Sequence, residues 1–291
     1  MFKDACALAR QFTFPIIVSQ RTVSGKCASS IAAFVVVNDE GWIVTAGHVM
    51  QQLNDSIAAA TKCQDRIRDE AAINADTTLD DKLRRGRLKA LGKTKADDLD
   101  RISAMWGHFP NNPQVTTSAI MAEADLAIGK LEPFDPSWVS TYPVFKDPSR
   151  DFEPGTSLCK MGYPFHQFQP SFDSALETFI LPAEAVPVPF FPIEGIFTRI
   201  ALFRPDPNQP QPAVPSMCVE TSTPGLRGQS GGPTFDKKGS IWAIQSRTSS
   251  YPLGFNSSIP EQYYHVGLGV HPTTVFGMFD KFGVKYDVSK Y

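Results

Sequence analysis

The sequence predicts an all-β protein with helical additions, and three observations carry that prediction. Runs rich in β-branched and aromatic residues recur at 14–20, 31–38, 42–45, 119–131, 157–161, 216–221, 241–247 and 263–270, most of them short and bounded by turn residues. Charge is concentrated elsewhere. Residues 51–101 hold 11 Lys/Arg and 10 Asp/Glu of the chain's 58 charged residues, and no aromatic occurs between Trp42 and Trp106, which reads as helix rather than strand. Residues 272–282 form a last amphipathic segment that reads as a C-terminal helix. No internal repeat is present, so many short strands with turn signals describe a barrel or a sandwich.

The elements follow in order. Residues 3–11 read as a short helix. Asn38-Asp39-Glu40-Gly41 is a turn between the runs at 31–38 and 42–45, so residues 31–45 form a hairpin that runs into Ala46-Gly47-His48-Val49. The charged stretch predicts two helices, near 49–73 and 79–93, with Thr78 and Asp81 marking the second start, then a polar segment. These helices are either a solvated hairpin decorating a β-domain or a surface for a regulatory protein partner. Residues 182–215 contain nine prolines, and 205–212 reads as an exposed loop in a long surface connection.

At 291 residues the chain can bury a substantial core. A net charge of −2 gives no argument for nucleic acid or an anionic membrane as partner. Lys3, Asp4, Arg10 and Gln11 interrupt any apolar leader, and no run reaches the roughly 18 apolar residues of a membrane span. Five cysteines, odd in number and without a CxxC pair, predict neither a zinc site nor a disulfide framework. The expectation is a cytoplasmic protein with reduced thiols, no metal and no cofactor.

Chemistry is concentrated at Gly228-Gln229-Ser230-Gly231-Gly232-Pro233. Glycines fencing a serine allow a tight turn whose successive backbone N–H groups converge on one point, as a developing oxyanion needs. Serine is a weak nucleophile and requires a base and a group to orient that base. Of five histidines, His48 alone ends a strand, in Thr45-Ala46-Gly47-His48. Asp125 stands apart from the charged stretch, at the start of the apolar run Leu126-Ala127-Ile128, where a carboxylate needs a partner to offset desolvation.

Thr-Ala-Gly-His, Asp-Leu-Ala-Ile and Gly-Gln-Ser-Gly-Gly-Pro, in that order, resemble the chymotrypsin-fold (trypsin-like) serine peptidases. Gly162-Tyr163-Pro164-Phe165 and Val266-Gly267-Leu268-Gly269-Val270 are similar to the bacterial HtrA-type branch, here without a PDZ-length segment. The resemblance covers roughly 14–50 and 119–282. It implies two six-stranded antiparallel β-barrels: residues 1–138, carrying His48, Asp125 and the helical insertion at about 50–105, and residues 139–291, carrying Ser230. It also implies a peptidase acting on a protein or peptide substrate, with Ser230 as nucleophile, His48 as base then acid, and Asp125 orienting it. The N–H groups of Gly228 and Ser230 would form the oxyanion hole.

Gln229 replaces the aspartate that secreted trypsins pair with a new N-terminus, so that activation route is not expected. By the same alignment the specificity pocket is framed by Pro224 to Arg227, by Gln245-Ser246-Arg247-Thr248 and by the strand of His265. Pro224 removes the usual basis for cleavage after Lys or Arg, while Arg227, Gln245 and His265 could receive an acidic side chain. Alternatively, Arg227 faces solvent and His265 is packed. Ser246 is expected to bind the substrate backbone. A protease-fold module that binds partners without turnover is the competing reading. An α/β-hydrolase is disfavoured, because its nucleophile precedes the acid and the histidine.

Overall fold

The computed structural model describes residues 1–203, 216–253 and 262–290. The loop expected at 205–212 lies outside them. A short helix α1 (Lys3–Ala9) leads to β1 (Thr13–Thr22), β2 (Cys27–Val36) and β3 (Trp42–Ala46). Then come α2 (Gly47–Ala75), α3 (Asp81–Leu91), β4 (Leu99–Trp106), β5 (Gln114–Met121) and β6 (Leu126–Glu132). The second half contains β7 (Val144–Phe145), β8 (Ser157–Gly162), β9 (Ser171–Asp173), β10 (Thr178–Ile180) and β11 (Phe191–Phe203). It ends with β12 (Ser216–Thr221), β13 (Pro233–Phe235), β14 (Ile241–Pro252), β15 (Tyr263–Val270), α4 (Pro272–Phe282) and β16 (Asp287–Val288).

The first six large strands form one antiparallel sheet in the order β4-β1-β2-β3-β6-β5. The second sheet runs β13-β8-β11-β12-β15-β14, and β14 pairs back onto β13, so these six strands close a ring. The arrangement is the all-β, chymotrypsin-like two-barrel fold that the motifs implied. Two short strands go beyond a six-stranded second barrel: β7 adds in parallel to β14, and β16 in parallel to β7.

Packing explains the register. β3 is buried along its whole length because β2 and β6 flank it and both its faces are covered. A single apolar cluster runs from Phe34, Ile43, Ile128 and Trp106 in the first sheet to Phe145, Ile244, Val270 and Phe279 in the second sheet and α4. Phe34 stands edge-on to Trp106 at 5.5 Å, and Phe145 edge-on to Phe279 at 5.6 Å. His271 caps α4, its Nδ1 accepting from the Thr273 N–H at 3.2 Å. Burial pushes its pKa down to about 4, which keeps the ring neutral and able to accept.

The charged stretch folds as two helices whose burial differs. α2 buries Met50, Leu53, Ala60 and Cys63, a stripe at spacings of three and seven that lies against β4. α3 buries nothing; Asp80 caps it by accepting from the Leu83 N–H at 2.7 Å, one residue before the expected start. Two of the longer strands were not anticipated. The polar segment at 99–106 becomes β4 because it pairs with β1, Ser19 opposite Ser103 and Val18 opposite Ala104. The 13-residue β11 lies within the proline-rich region, where Pro192 occupies only its second position and Ile193, Ile196, Phe197 and Ile200 carry the strand preference.

Phe34 is fully buried where the first barrel meets Trp106 and Phe14. Phe34→Ala is expected to lower the unfolding free energy by about 3–5 kcal/mol, read as a reduced urea midpoint at unchanged slope. A loss below about 1 kcal/mol would mean that the site collapses onto the cavity.

Candidate active site

His48 is the second residue of α2, immediately after β3 delivers the chain to the cleft between the sheets. Gly47 is there for steric reasons: a Cβ on it would lie 2.9 Å from the backbone of Asp125 and Leu126. That close approach lets the Gly47 N–H donate to the Asp125 carbonyl at 2.8 Å. Asp125 itself sits at φ 55° between a single turn, Ala122–Ala124, and β6, a left-handed conformation that Asp tolerates better than branched residues.

The Asp125 carboxylate is almost fully buried, accepts from three groups and is paired with a fourth. The His48 backbone N–H donates at 2.7 Å, and His48 Nδ1 lies 3.0 and 2.9 Å from the two oxygens. Ser246 Oγ donates to Oδ2, and the Arg247 guanidinium stands 3.5 Å from the same oxygen while also bonding Ser246 Oγ at 3.1 Å. Burial alone would raise the Asp125 pKa, but hydrogen bonds from His48 and Ser246 and the attraction of His48 outweigh it. The carboxyl is held below its ordinary value and stays ionised at neutral pH. An ionised carboxylate on Nδ1 selects the tautomer that leaves a lone pair on Nε2.

Ser230 reaches the same place from the second sheet. The Ala33 N–H of β2 donates to the Ser230 carbonyl at 2.9 Å, and the Gly231 N–H donates to the Gln245 carbonyl at 2.8 Å. A Cβ on Gly231 would stand 2.1 Å from the Ala33 carbonyl and from Thr45 Oγ1, so only glycine allows the nucleophile turn to lie against the first barrel. Within the turn, the N–H groups of Gln229, Gly231 and Gly232 have backbone acceptors, whereas those of Gly228 and Ser230 have none among the described residues. Ser230, Gly228 and His48 line one cleft of about 560 Å³ with Arg227, Tyr163 and Phe165. No hydrogen bond joins Ser230 Oγ to His48 among the described residues, a contact that commonly tightens only with substrate.

The remaining predicted positions separate into groups. Arg227 is exposed at the rim of that cleft. The partly buried Pro224 and the buried Gln245 do not line that cleft; Gln245 Nε2 donates to the carbonyls of Arg247 and Leu268 at 3.2 and 3.3 Å. Ser246 occupies a bulge between Gln245, opposite Gly269, and Arg247, opposite Leu268, and its hydroxyl is committed to Asp125. His265 is not brought to this region. It is exposed, opposite Ser250 and bonded to its hydroxyl at 2.8 Å, and the β15 residues facing Arg247 and Thr248 are Leu268 and Gly267. The expectation that His265 helps to frame the pocket is thus corrected: β15 faces Arg247 and Thr248 with Leu268 and Gly267, because its register against the bulged β14 cannot be read from local sequence. Three contacts escaped the sequence reading: the Ser246 hydroxyl and Arg247 guanidinium on Asp125, and Lys160 beneath Pro224. The available signal for Lys160 was a lone cation in the apolar run Leu158-Cys159-Lys160-Met161.

The Asp125 contacts set a pH dependence. Because its folded pKa is lowered, ionisation stabilises the fold above the unfolded value of about 3.9, and that stabilisation is lost as pH falls through the folded value. Ser246→Ala removes one donor and raises the folded value. Its acid-unfolding midpoint, followed by circular dichroism, is expected at higher pH than wild type; an equal or lower midpoint contradicts the assigned role of the hydroxyl.

The trypsin-like peptidase domain matches residues 32–244. Among solved structures, the chain is similar to the active form of the Rv3671c protease from M. tuberculosis, at 12% identity over 98% of this chain and 86% of that one, with a TM-score of 0.51. It is also similar to the HtrA-type protease AlgW with a tripeptide, at 14% identity over 98% of this chain and 64% of that one, with a TM-score of 0.50. At these identities the likeness concerns the fold alone. No curated protein matches the chain. The match spans well over half of the sequence, and the chain belongs to the trypsin-like peptidase domain family.

Proposed function

We propose that the protein is a serine endopeptidase in which Ser230, His48 and Asp125 carry the reaction. The observation that carries this reading is the double hold of Asp125 on His48, through backbone and ring, in a cleft shared with Ser230. Ser230 Oγ attacks the scissile carbonyl carbon while its proton passes to His48 Nε2. The carbonyl oxygen becomes an oxyanion against the N–H groups of Gly228 and Ser230, the two left without acceptors in the turn. Collapse breaks the C–N bond, and the amine departs with the proton from His48, leaving an acyl-enzyme. Water then attacks the ester, His48 again takes a proton, and Ser230 is regenerated as the acid product leaves. Asp125 remains ionised throughout and stabilises the imidazolium.

A regulatory protein partner is proposed at the helical excursion. Support comes from α3, which buries no residue and leaves Leu83 56% exposed. A cytoplasmic setting is proposed on the five unbonded cysteines, four of them buried.

A fluorophosphonate probe is expected to label wild type and to leave Ser230→Ala and His48→Ala unlabelled. Asp125→Asn is expected to reduce turnover by roughly 10⁴-fold with the fold intact. Labelling of Ser230→Ala in a protease-free preparation, or a well-folded wild type that never labels, would remove the peptidase reading. Replacing residues 77–92 by a short Gly/Ser linker is expected to change the unfolding free energy by no more than about 0.5 kcal/mol and to leave labelling unchanged. A slower or faster labelling rate in that variant would make α3 part of the active site's control rather than a separate docking surface.

A further inference from the structure

Lys160 lies on β8, which is buried on both faces, and only 1% of the residue is exposed. Its ammonium donates to Thr221 Oγ1 at 3.0 Å, to the Pro224 carbonyl at 3.2 Å and to the Thr223 carbonyl. No carboxylate pairs with it or contributes to its electrostatics among the described residues. Room for it is made by Gly267 of β15, where a Cβ would stand 2.5 Å from the Lys160 nitrogen. Burial lowers its pKa to about 8, so it is still largely protonated at neutral pH.

A buried cation without an anion is costly, and here only a hydroxyl and two carbonyls offset that cost, so a carboxylate brought by a ligand would be a stronger partner. The position indicates which ligand. Thr221 to Pro224 lead in sequence directly to Gly228 and Ser230, while β14 from Gln245 to Thr248 forms the facing wall and Gly267 and Leu268 lie opposite Thr248 and Arg247. The ammonium is therefore held under the Thr223 and Pro224 carbonyls, in the segment that leads into the Ser230 turn and faces β14, which together frame the specificity slot that the family resemblance implies.

We propose that Lys160 is the specificity-determining charge of this slot and that it selects substrates with Glu or Asp before the scissile bond. This rests on the peptidase reading. The substrate carboxylate takes the place of the Pro224 carbonyl, which is the most distant of the three acceptors on the ammonium. At the entrance, Thr248 Oγ1 both accepts from the Gly225 N–H and donates to the Gly225 carbonyl, each at 3.0 Å. Entry of a side chain exchanges these two exposed contacts. Arg227 at the rim adds positive charge but belongs to the neighbouring cleft, and Arg247 is already engaged by Asp125.

The test uses peptidyl diphenyl phosphonates that differ only in the residue before the phosphorus: Glu, its uncharged isostere Gln, or Leu. Second-order labelling rates are measured for wild type and Lys160→Met, which keeps most of the stem and removes the charge. Wild type is expected to favour Glu over Gln by at least about tenfold, and Lys160→Met to bring the ratio near one while Leu reacts as well as before or better. A Lys160 that served only as a strut for the 223–224 carbonyls would slow all three probes together and leave the ratio unchanged, which overturns the proposal. A wild type that prefers Gln or Leu, or reacts with no P1-bearing probe while a simple fluorophosphonate still labels Ser230, overturns it without need of the variant. Failure of wild type to label with the simple fluorophosphonate removes the peptidase reading, and this inference with it.

Discussion

The buried carboxylate of Asp125 is the constraint on which the site depends. An anion at this depth is tolerated only when donors surround it, and the donors come from both halves of the molecule. His48 is supplied by the β3–α2 junction of the first barrel, and Ser246 and Arg247 by the bulge in β14 of the second. The same interaction therefore orients the imidazole and ties the barrels together at the cleft. A site assembled this way is sensitive to relative barrel position, since a small sliding of one sheet strips donors from a charge that cannot return to water.

The nucleophile turn meets the first barrel with comparable stringency. Gly231 has no space for a side chain between the Ala33 carbonyl and Thr45 Oγ1, and Thr45 Oγ1 itself donates to that carbonyl at 2.7 Å. The Thr-Ala-Gly-His and Gly-Gln-Ser-Gly-Gly-Pro segments are thus two sides of one contact. Gln229 completes it from below: fully buried, its Oε1 accepts from the Leu226 N–H at 3.0 Å. A neutral amide bonded within its own loop thus helps to hold the turn.

Two buried charges of the protein, Asp125 and Lys160, are treated differently. Asp125 is fully compensated by the protein, as suits a group that must remain ionised and fixed. Lys160 is hydrogen-bonded to a hydroxyl and carbonyls but lacks a counter-ion among the described residues.

Much of this was legible in the chain. Asp125 and Ser230 each stood out because a chemically demanding residue sat in a local sequence that otherwise explains nothing about it, and the strand periods around them were strong. The two charged helices were visible because composition alone excludes strands there, and the last helix because its apolar period is clear. β4 and β11 were not visible: β4 exists because β1 offers it an edge, and the strand preference of β11 was masked by the prolines before and after it. The specificity slot was decided by tertiary structure alone. The pairing of β15 with β14 set His265 opposite Ser250 and Gly267 opposite Thr248, and the long lysine side chain of β8 reached the Pro224 carbonyl, a contact to which no local motif points. Sequence determines which reactive side chains are present, because Ser230, His48 and Asp125 are each carried by a short motif with local geometry. Only the packing of strands distant in sequence determines what those side chains face, because strand register and side-chain reach depend on contacts the local sequence does not contain.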